Sequence, residues 1–112
     1  MNEKSIRYGR IVEEILTDLA AVPYLEPGVQ DRTFFDERNQ RYAVISEGWD
    51  DIKRVNNIIA DLEIINGKVW IQADNTDIAI ARKLEARGIP KSDIVLGFRP
   101  PYIRAETEYA AA

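Results

Sequence analysis

Two residue types are missing from this chain of 112 residues, which contains no cysteine and no histidine. Without cysteine, no disulfide, thiolate nucleophile or thiolate metal site can form. Without histidine, the chain lacks the commonest general base at neutral pH and the commonest ligand of transition metals. A Ser-His-Asp triad is therefore impossible, and Ser5, Ser46 and Ser92 have no nucleophile-elbow sequence around them.

Long apolar runs are missing as well. No stretch approaches the ~20 apolar residues that a membrane helix needs. The first seven residues carry charges and are not followed by an apolar run, which is not the pattern of a signal peptide. These features predict a cytoplasmic protein without a membrane partner.

Positive charge is neither abundant nor concentrated. The formal net charge is −4, and adjacent basic residues occur only in the short pairs Lys53-Arg54 and Arg82-Lys83. Because non-specific DNA affinity comes from Lys and Arg that neutralise phosphates, this distribution disfavours direct DNA binding. The content of 46% hydrophobic and 30% charged residues is typical of a globular protein, and the length predicts one domain over residues 1–112.

The first segment has the spacing of an amphipathic helix. Its apolar residues recur three and four positions apart, as Tyr8, Ile11, Val12, Ile15, Leu16 and Leu19. Ser5 is the predicted N-cap, and the helix must end before Pro23, because the residue before a proline avoids helical backbone. We predict a helix over about residues 4–21.

The period then changes to the two-residue alternation of β-strands. Strands are predicted over the ranges 29–36, 41–49, 54–65 and 68–74. The first connection is a polar turn over residues 37–40, and residues 48–51, which include Gly48, form the next reversal. Asn66-Gly67 is the strongest hairpin signal, since both central positions of a type I′ turn need positive φ. These strands predict an antiparallel meander.

Alternation also predicts which strand residues share a face. In the third strand one face carries Ile58, Ala60, Leu62 and Ile64. In the fourth strand the inward residues are Val69, Ile71 and Ala73, and the outward residues are Lys68, Gln72 and Asp74.

A second helix is predicted to begin at Asn75 or Thr76, with Asp77 in its first turn and Gly88 as its stop. Residues 94–96 form a short buried strand or helical turn, and residues 97–102 are predicted to be irregular. The predicted fold class is α+β: an N-terminal helix, an antiparallel meander of three to four strands, a second helix, a short C-terminal element and an irregular tail.

Carboxylates were considered as metal ligands and as acid–base pairs. Asp50, Asp51, Asp74 and Asp77 are oxygen ligands of the type that Mg²⁺ prefers, but their positions in a turn and at a helix start have ordinary structural reasons. The adjacent pairs Glu13-Glu14 and Asp36-Glu37 do not have the spacing of carboxyls that converge across a cleft. We predict no catalytic residue, metal or cofactor.

Large aromatic residues and a proline-rich segment mark the predicted interaction surface. Trp70 lies in the outward phase of its strand, so it either packs under a helix or serves in an interface. The segment from Phe98 to Ile103 either packs on its own domain or docks on a partner or a second copy. The predicted surface comprises Trp49, Trp70, Phe98, Pro100, Pro101 and Tyr102. Trp70 and this segment also predict a homo-oligomer.

Several motifs resemble one family. They are residues 47–50 (EGWD), residues 64–74 (IINGKVWIQAD), residues 88–98 (GIPKSDIVLGF) and the closing residues 107–109 (TEY). Together they are similar to the XisI family, whose cyanobacterial members are known as controlling factors for excision of the fdxN element. The resemblance extends over essentially the whole chain and is least distinctive before Arg41.

The resemblance implies a role in programmed DNA rearrangement, in which a separate site-specific recombinase cuts the DNA. XisI-like proteins are often encoded beside XisH-like proteins, which look related to nucleases, and the family supplies no catalytic residues to assign here. The leading hypothesis is a non-enzymatic accessory factor that contacts a recombinase or an XisH-like protein and reaches DNA only through them. Two alternatives stay open: a direct DNA-binding cofactor that uses Lys53, Arg54, Arg82, Lys83 or Arg99, and an antidote-like subunit that restrains a nuclease-like partner.

Overall fold

The computed structural model describes residues 2–23 and 26–112. In this part of the chain an N-terminal helix is followed by a four-stranded antiparallel meander, a second helix, a short strand and a short third helix. The helices are α1 (Glu3–Ala20), α2 (Ile80–Ala86) and α3 (Pro101–Arg104), and a 3-10 turn covers Lys91–Asp93. The strands are β1 (Val29–Asp36), β2 (Arg41–Asp50), β3 (Lys53–Ile65), β4 (Lys68–Asp74) and β5 (Ile94–Leu96).

The five strands form one sheet in the order β1-β2-β3-β4-β5. The first four pair antiparallel, and β5 returns parallel to β4. The predicted α+β class and the order of elements are confirmed, and β5 is a strand rather than a helical turn. No helix in the two described ranges is long and apolar enough to cross a membrane.

Helix α1 begins one step earlier than the sequence predicts. Its N-cap is Asn2, whose side-chain oxygen accepts a 2.8 Å hydrogen bond from the backbone N–H of Ser5. Ser5 itself is buried within the first turn, so its prediction as N-cap was wrong. The predicted apolar stripe is confirmed for Tyr8, Ile11 and Val12 and continues to Leu16.

The core lies between the two longer helices and one face of the sheet, which we call the inner face. Helix residues Tyr8, Val12, Leu16 and Leu84 are fully buried there. The sheet contributes the buried side chains Tyr42, Val44, Ala60, Leu62, Ile64, Val69, Ile71 and Ile94. Burial of this apolar surface is the main stabilising contribution to such a fold.

A β-bulge between β2 and β3 overturns one part of the predicted alternation. Val44 pairs with Ala60 but Ile45 pairs with Ile58, so β3 holds one extra residue at this point. The extra residue reverses the phase, and Ile58 faces away from Ala60 with 49% of its surface exposed. The prediction that Ile58 shares a face with Ala60, Leu62 and Ile64 was therefore wrong.

A second bulge lies between β3 and β4. Leu62 pairs with Ile71 and Asp61 pairs with Ala73, which makes Gln72 the extra residue. Ala73 therefore follows the outward Asp61, and Asp74 lies opposite the buried Ala60. The predicted orientations of Ala73 and Asp74 were both wrong, because period-two counting does not detect an inserted residue.

The turn between β2 and β3 is tighter than predicted. Gly48, Trp49 and Asp50 belong to β2, and the chain reverses at Asp51 and Ile52. Gly48 has φ 142° and stands so close to β1 that a Cβ there would lie 1.9 Å from the carbonyl oxygen of Gly28. This glycine is therefore required by a close strand approach and not by a turn.

Helix α2 begins later than predicted, at Ile80 instead of Asn75 or Thr76. Asp77 precedes the helix, so its assignment to the first turn was wrong. Gly88 has φ 94° just after the helix, which confirms its role as the stop. At the other end of the chain, residues 101–104 form α3 where an irregular segment was predicted, because Pro101 stands at a first helical position that needs no N–H donor.

Candidate interaction site

The six residues of the predicted surface fall into two separate places. Trp49 lies near the β2–β3 turn. The other five, Trp70, Phe98, Pro100, Pro101 and Tyr102, lie on β4 or on the segment of residues 97–112, which we call the C-terminal arm. The structure therefore gathers five of the six residues around the arm.

The arm is tied to its own domain by hydrogen bonds at several points. The backbone N–H of Ala110 donates to the carbonyl oxygen of Ile94 at 2.9 Å, and Ala110 forms a parallel bridge with Val95. The Nζ of Lys68 donates to the carbonyl oxygen of Ala112 at 2.5 Å. These contacts hold the end of the arm beside β5 and fix the position of α3.

Arg104 fastens the middle of the arm over the outer face of the sheet, opposite the inner face. Its guanidinium lies 5.2 Å from the ring centre of Trp70, within the range of a cation–π contact. The same guanidinium donates to the carbonyl oxygens of Arg99 and Ala111, both at 2.7 Å. One arginine therefore joins both halves of the arm to the tryptophan.

Trp70 is half-buried under the arm. Besides Arg104, it meets Gly97, where an added Cβ would lie 3.2 Å from Trp70 Cε3. Of the two alternatives for this outward tryptophan, packing under another element describes its environment. That element is the arm itself, with Arg104 as the contact that sequence reasoning missed.

Phe98 and Tyr102 project from the anchored arm into solvent, with 43% and 73% of their surfaces exposed. The Phe98 ring carries the guanidinium of Arg99 at 5.1 Å. Pro100 and Pro101 between them are exposed and set the direction of α3. The arm thus presents two aromatic side chains on a backbone stiffened by two prolines.

Trp49 stands at the far end of the sheet. It is 55% exposed, and the Arg54 guanidinium lies 5.6 Å from its ring centre. In the strand register Arg41 of β2 lies opposite Glu63 of β3, and Glu63 lies opposite Trp70 of β4. Arg41 and Trp70 are therefore at the same height along the sheet. From that level to Trp49 the strand rises by about 27 Å, at ~3.4 Å per residue. Trp49 and the arm therefore belong to different surfaces.

The end of the arm forms a small polar network with α2. The Tyr109 hydroxyl donates to Glu85 at 2.6 Å, and the Arg82 guanidinium pairs with Glu85 at 3.1 Å and with Glu108 at 2.7 Å. Burial and the hydrogen bond to Glu85 raise the pKa of Tyr109 to about 12. The same hydrogen bond, together with Lys91 and Arg82, lowers the pKa of Glu85.

A second buried tyrosine links α1 to the turn before β5. The Tyr8 hydroxyl donates to Asp93 at 2.5 Å, and Lys4 pairs with the same carboxylate at 2.9 Å. Burial and this hydrogen bond raise the pKa of Tyr8 to about 12. Burial opposes ionisation of Asp93, but the hydrogen bonds from Tyr8 and Lys4 outweigh it and lower the pKa of Asp93.

The basic residues considered for DNA contact do not share one face. Arg54 lies over Trp49 on the outer face, whereas Arg82 and Lys83 belong to α2, which covers the inner face. Arg82 is moreover occupied by Glu85 and Glu108. Arg54 is therefore not gathered on one face with Arg82 and Lys83, as a basic surface built from all three would require.

The carboxylates considered as metal ligands are also separated. Asp50 and Asp51 lie at the β2–β3 turn, and Asp74 is engaged with the backbone N–H of Ile80 at 3.0 Å and with Thr76. Within residues 2–23 and 26–112, no three acidic side chains form a group that could hold a metal ion.

Comparison with known proteins gives consistent matches over almost the full length. The sequence profile described as "XisI protein" matches residues 1–111. The crystal structure of an XisI-like protein from Anabaena variabilis ATCC 29413 has a TM-score of 0.91 and 30% identity, covering 96% of this chain and 99% of its own.

The crystal structure of the fdxN element excision controlling factor XisI from the same organism has a TM-score of 0.85 and 40% identity, covering 98% of this chain and 100% of its own. No curated protein sequence matches the chain. The extent of the profile match and the two structural matches show that the chain belongs to the XisI family.

Proposed function

We propose that this protein is a non-enzymatic controlling factor for excision of a DNA element. It acts in the cytoplasm through contacts with a site-specific recombinase or an XisH-like, nuclease-related partner, and it reaches DNA only through that partner. The proposal draws its biological context from the relative named as the fdxN element excision controlling factor, which is 40% identical over almost the whole chain.

The exposed aromatic pair on the arm is the observation that carries the partner-contact proposal. Phe98 and Tyr102 flank two prolines, and the arm is held in place by Arg104 and Ala110. Aromatic side chains dominate the energetics of protein interfaces. Because the arm is already ordered, binding through it costs little conformational entropy. We therefore assign Phe98 and Tyr102 as the main contacts with the partner.

The charge arrangement supports indirect contact with DNA. Arg82 is paired with two glutamates, and the whole chain has a formal net charge of −4. An acidic protein whose Arg82 is already neutralised is poorly suited to hold a phosphate backbone by itself. Element DNA should therefore be bound by the partner.

Co-expression with an XisH-like protein, and separately with the recombinase, tests this proposal. We expect one of them to co-purify with the tagged chain as a stoichiometric complex. The double substitution Phe98→Ala/Tyr102→Ala should weaken that complex by roughly 30-fold or more, which corresponds to the loss of about 2 kcal/mol at an interface hot spot. Ile52→Ala is the matched control, because Ile52 is 89% exposed but lies at the opposite turn of the sheet.

Two results would overturn the proposal. In the first, neither protein forms a complex, or the complex forms equally well with the double variant. In the second, the purified chain alone binds element-end DNA tightly at physiological salt, with an affinity that falls steeply as salt increases. The second result would establish the direct DNA-binding alternative.

A further inference from the structure

The outer face of strands β1 to β3 carries an apolar surface that no other described element covers. It consists of Phe34, Ala43, Ile45, Ile58 and Trp49, and we call it the open face. The arm covers the outer side of the sheet at β4 and β5, where Arg104 lies over Trp70. Helices α1 and α2 pack on the inner face.

Strand register places these side chains next to one another. Phe34 lies opposite Ala43, and Ile45 lies opposite Ile58 at the bulge. Trp49 lies opposite Arg54 near the end of β2, and the outward residues Gln30, Glu47 and Asn56 form a polar row between it and Ile45 and Ile58. Phe34, Ile58 and Trp49 are 46%, 49% and 55% exposed, so the three large side chains form the accessible part of the face.

This composition departs from that of a solvated sheet face. An antiparallel sheet with one covered face normally presents polar residues on the other. At one step of β2 the polar residue is on the covered side and the apolar residue is on the open side, because Ser46 is buried on the inner face while Ile45 points outward. The bulge adds Ile58 to the outer side. Contiguous exposed apolar surface of this kind marks an interaction site.

The charges around the open face identify the kind of occupant. Glu47 is held by Arg32 at 2.9 Å, and both Asp61 and Glu63 are held by Arg41 at 2.7 and 3.0 Å. Glu47, Asp61 and Glu63 are therefore neutralised by arginines of the same face, whereas Arg54, opposite Trp49, lies against the tryptophan ring and forms no ion pair among the described residues. Because most charges of the face are neutralised, it fits an apolar surface of similar charge better than a nucleic acid.

A second copy of this chain supplies such a surface and enough area. Strand β2 has ten residues and spans about 34 Å, and three strands at ~4.8 Å spacing span about 14 Å. The flat area is about 500 Å² per copy, or about 1,000 Å² for two copies, which reaches the lower limit of specific interfaces before the relief of the side chains is counted.

We propose that two copies of the protein pack open face to open face as a homodimer. The two sheets then form a sandwich with Ile45 and Ile58 at its centre and Phe34 and Trp49 around them. Two sheets packed face to face lie ~10 Å apart and bury the side chains between them. The dimer leaves the arm of each copy accessible, so it does not depend on the partner contact proposed above.

The test is the mass in solution of the full chain and of matched variants, measured by light scattering and sedimentation at micromolar concentrations. We expect the unaltered chain to have twice its monomer mass of 12.8 kDa. Ile58→Lys should give a monomer, because it places a cation beside the same cation and Arg32 of the second copy. Ile6→Lys is the control, since Ile6 is 39% exposed but belongs to α1 on the other side of the molecule.

Circular dichroism checks that each variant is folded, and Trp49→Gln, at a 55% exposed position, provides a second disruption if Ile58→Lys does not fold. Phe98→Ala/Tyr102→Ala should retain the dimer mass, which separates this proposal from the partner contact. A monomeric unaltered chain, or a dimer that persists in both folded open-face variants, would overturn the proposal. A dimer that is lost with Phe98→Ala/Tyr102→Ala would place the interface on the arm instead.

Discussion

Tyr8 shows how a single residue connects distant parts of the sequence. Its ring is buried in the core, and its hydroxyl reaches Asp93 in the turn before β5, 85 positions along the chain. Lys4 forms an ion pair with the same carboxylate. Helical periodicity predicted that Tyr8 would face the core, but it contained no information about the partner of the hydroxyl group.

Tyr8 should make the folded protein sensitive to alkaline pH. Its pKa is about 12 in the folded protein and 10.0 as its ordinary value, so the folded state favours the neutral phenol. The stabilisation is complete below pH ~10 and is lost as the pH rises toward ~12. Two pH units correspond to about 2.7 kcal/mol, and burial of the phenol contributes more to this shift than the hydrogen bond to Asp93 does.

We therefore expect Tyr8→Phe to lower the free energy of unfolding by about 2 kcal/mol at pH 8. The free energy of unfolding of the variant, measured with urea, should also decline less steeply between pH 10 and 12 than that of the unaltered chain. The decline should not vanish, because the pKa of Tyr109 is raised to about 12 as well. Tyr102→Phe is the control, since that side chain is 73% exposed. An alkaline decline in Tyr8→Phe as steep as in the unaltered chain would contradict this assignment.

At the scale of elements, sequence patterns predicted the features that depend on neighbouring residues in the chain, such as strand bounds and tight turns. The bounds of β1 are those predicted, and Asn66 and Gly67 adopt the positive φ values of 50° and 75° that the hairpin signal requires. The two bulges were not predictable from period-two alternation, because they are properties of the pairing between strands. Their consequences are specific: Ile58 turns outward to the open face, and Asp74 turns toward α2.

The start of α2 gives an element-scale prediction. The Asp74 carboxylate accepts hydrogen bonds from the backbone N–H of Ile80 at 3.0 Å and from Thr76, and thereby performs from the end of β4 the role of an N-cap. Asp74→Ala should lower the free energy of unfolding by about 1–2 kcal/mol, the usual cost of losing a cap. Asp77→Ala should change it by less than about 0.5 kcal/mol, because Asp77 is exposed and precedes the helix.

Chemical denaturation of the two variants measures this difference directly. The pair is informative because helix-start patterns in the sequence favoured Asp77, whereas the geometry favours Asp74. Equal losses in the two variants, or a larger loss in Asp77→Ala, would show that the start of α2 is stabilised in another way.

The candidate site was predictable from the sequence only in part. The composition of the segment left open whether it packs on its own domain or docks on a partner, and in the structure Phe98 and Tyr102 are 43% and 73% exposed. The contact between Arg104 and Trp70 was not predictable, because it depends on the parallel return of β5 and the course of the arm. The separation of Trp49 from the other five residues likewise follows from strand register and not from composition.

At the scale of the whole molecule, the sheet separates two surfaces. The arm lies at β4 and β5, and the open face extends across β1 to β3 to Trp49. A protein with two separate surfaces can bind a second copy and a different partner at the same time. In the proposed assembly the dimer presents two arms, one on each copy.

This separation predicts that substitutions on the two surfaces do not couple in their effects on the affinity for the partner. Trp49 lies about 27 Å along the sheet from the level of Trp70, and the arm is anchored at that level. Residues so far apart without a shared contact have additive effects on free energy, within about 0.5 kcal/mol. A double-mutant cycle with Tyr102→Ala and Trp49→Ala, measured as partner affinity by calorimetry on the co-purifying complex, should therefore give no coupling above that value. The measurement must be made at a concentration where all four proteins have the same oligomeric state, because a loss of dimer in Trp49→Ala would itself change the apparent affinity.

A coupling energy above about 1 kcal/mol under those conditions would mean that Trp49 and Tyr102 contact one continuous partner surface, as residues of a single site do.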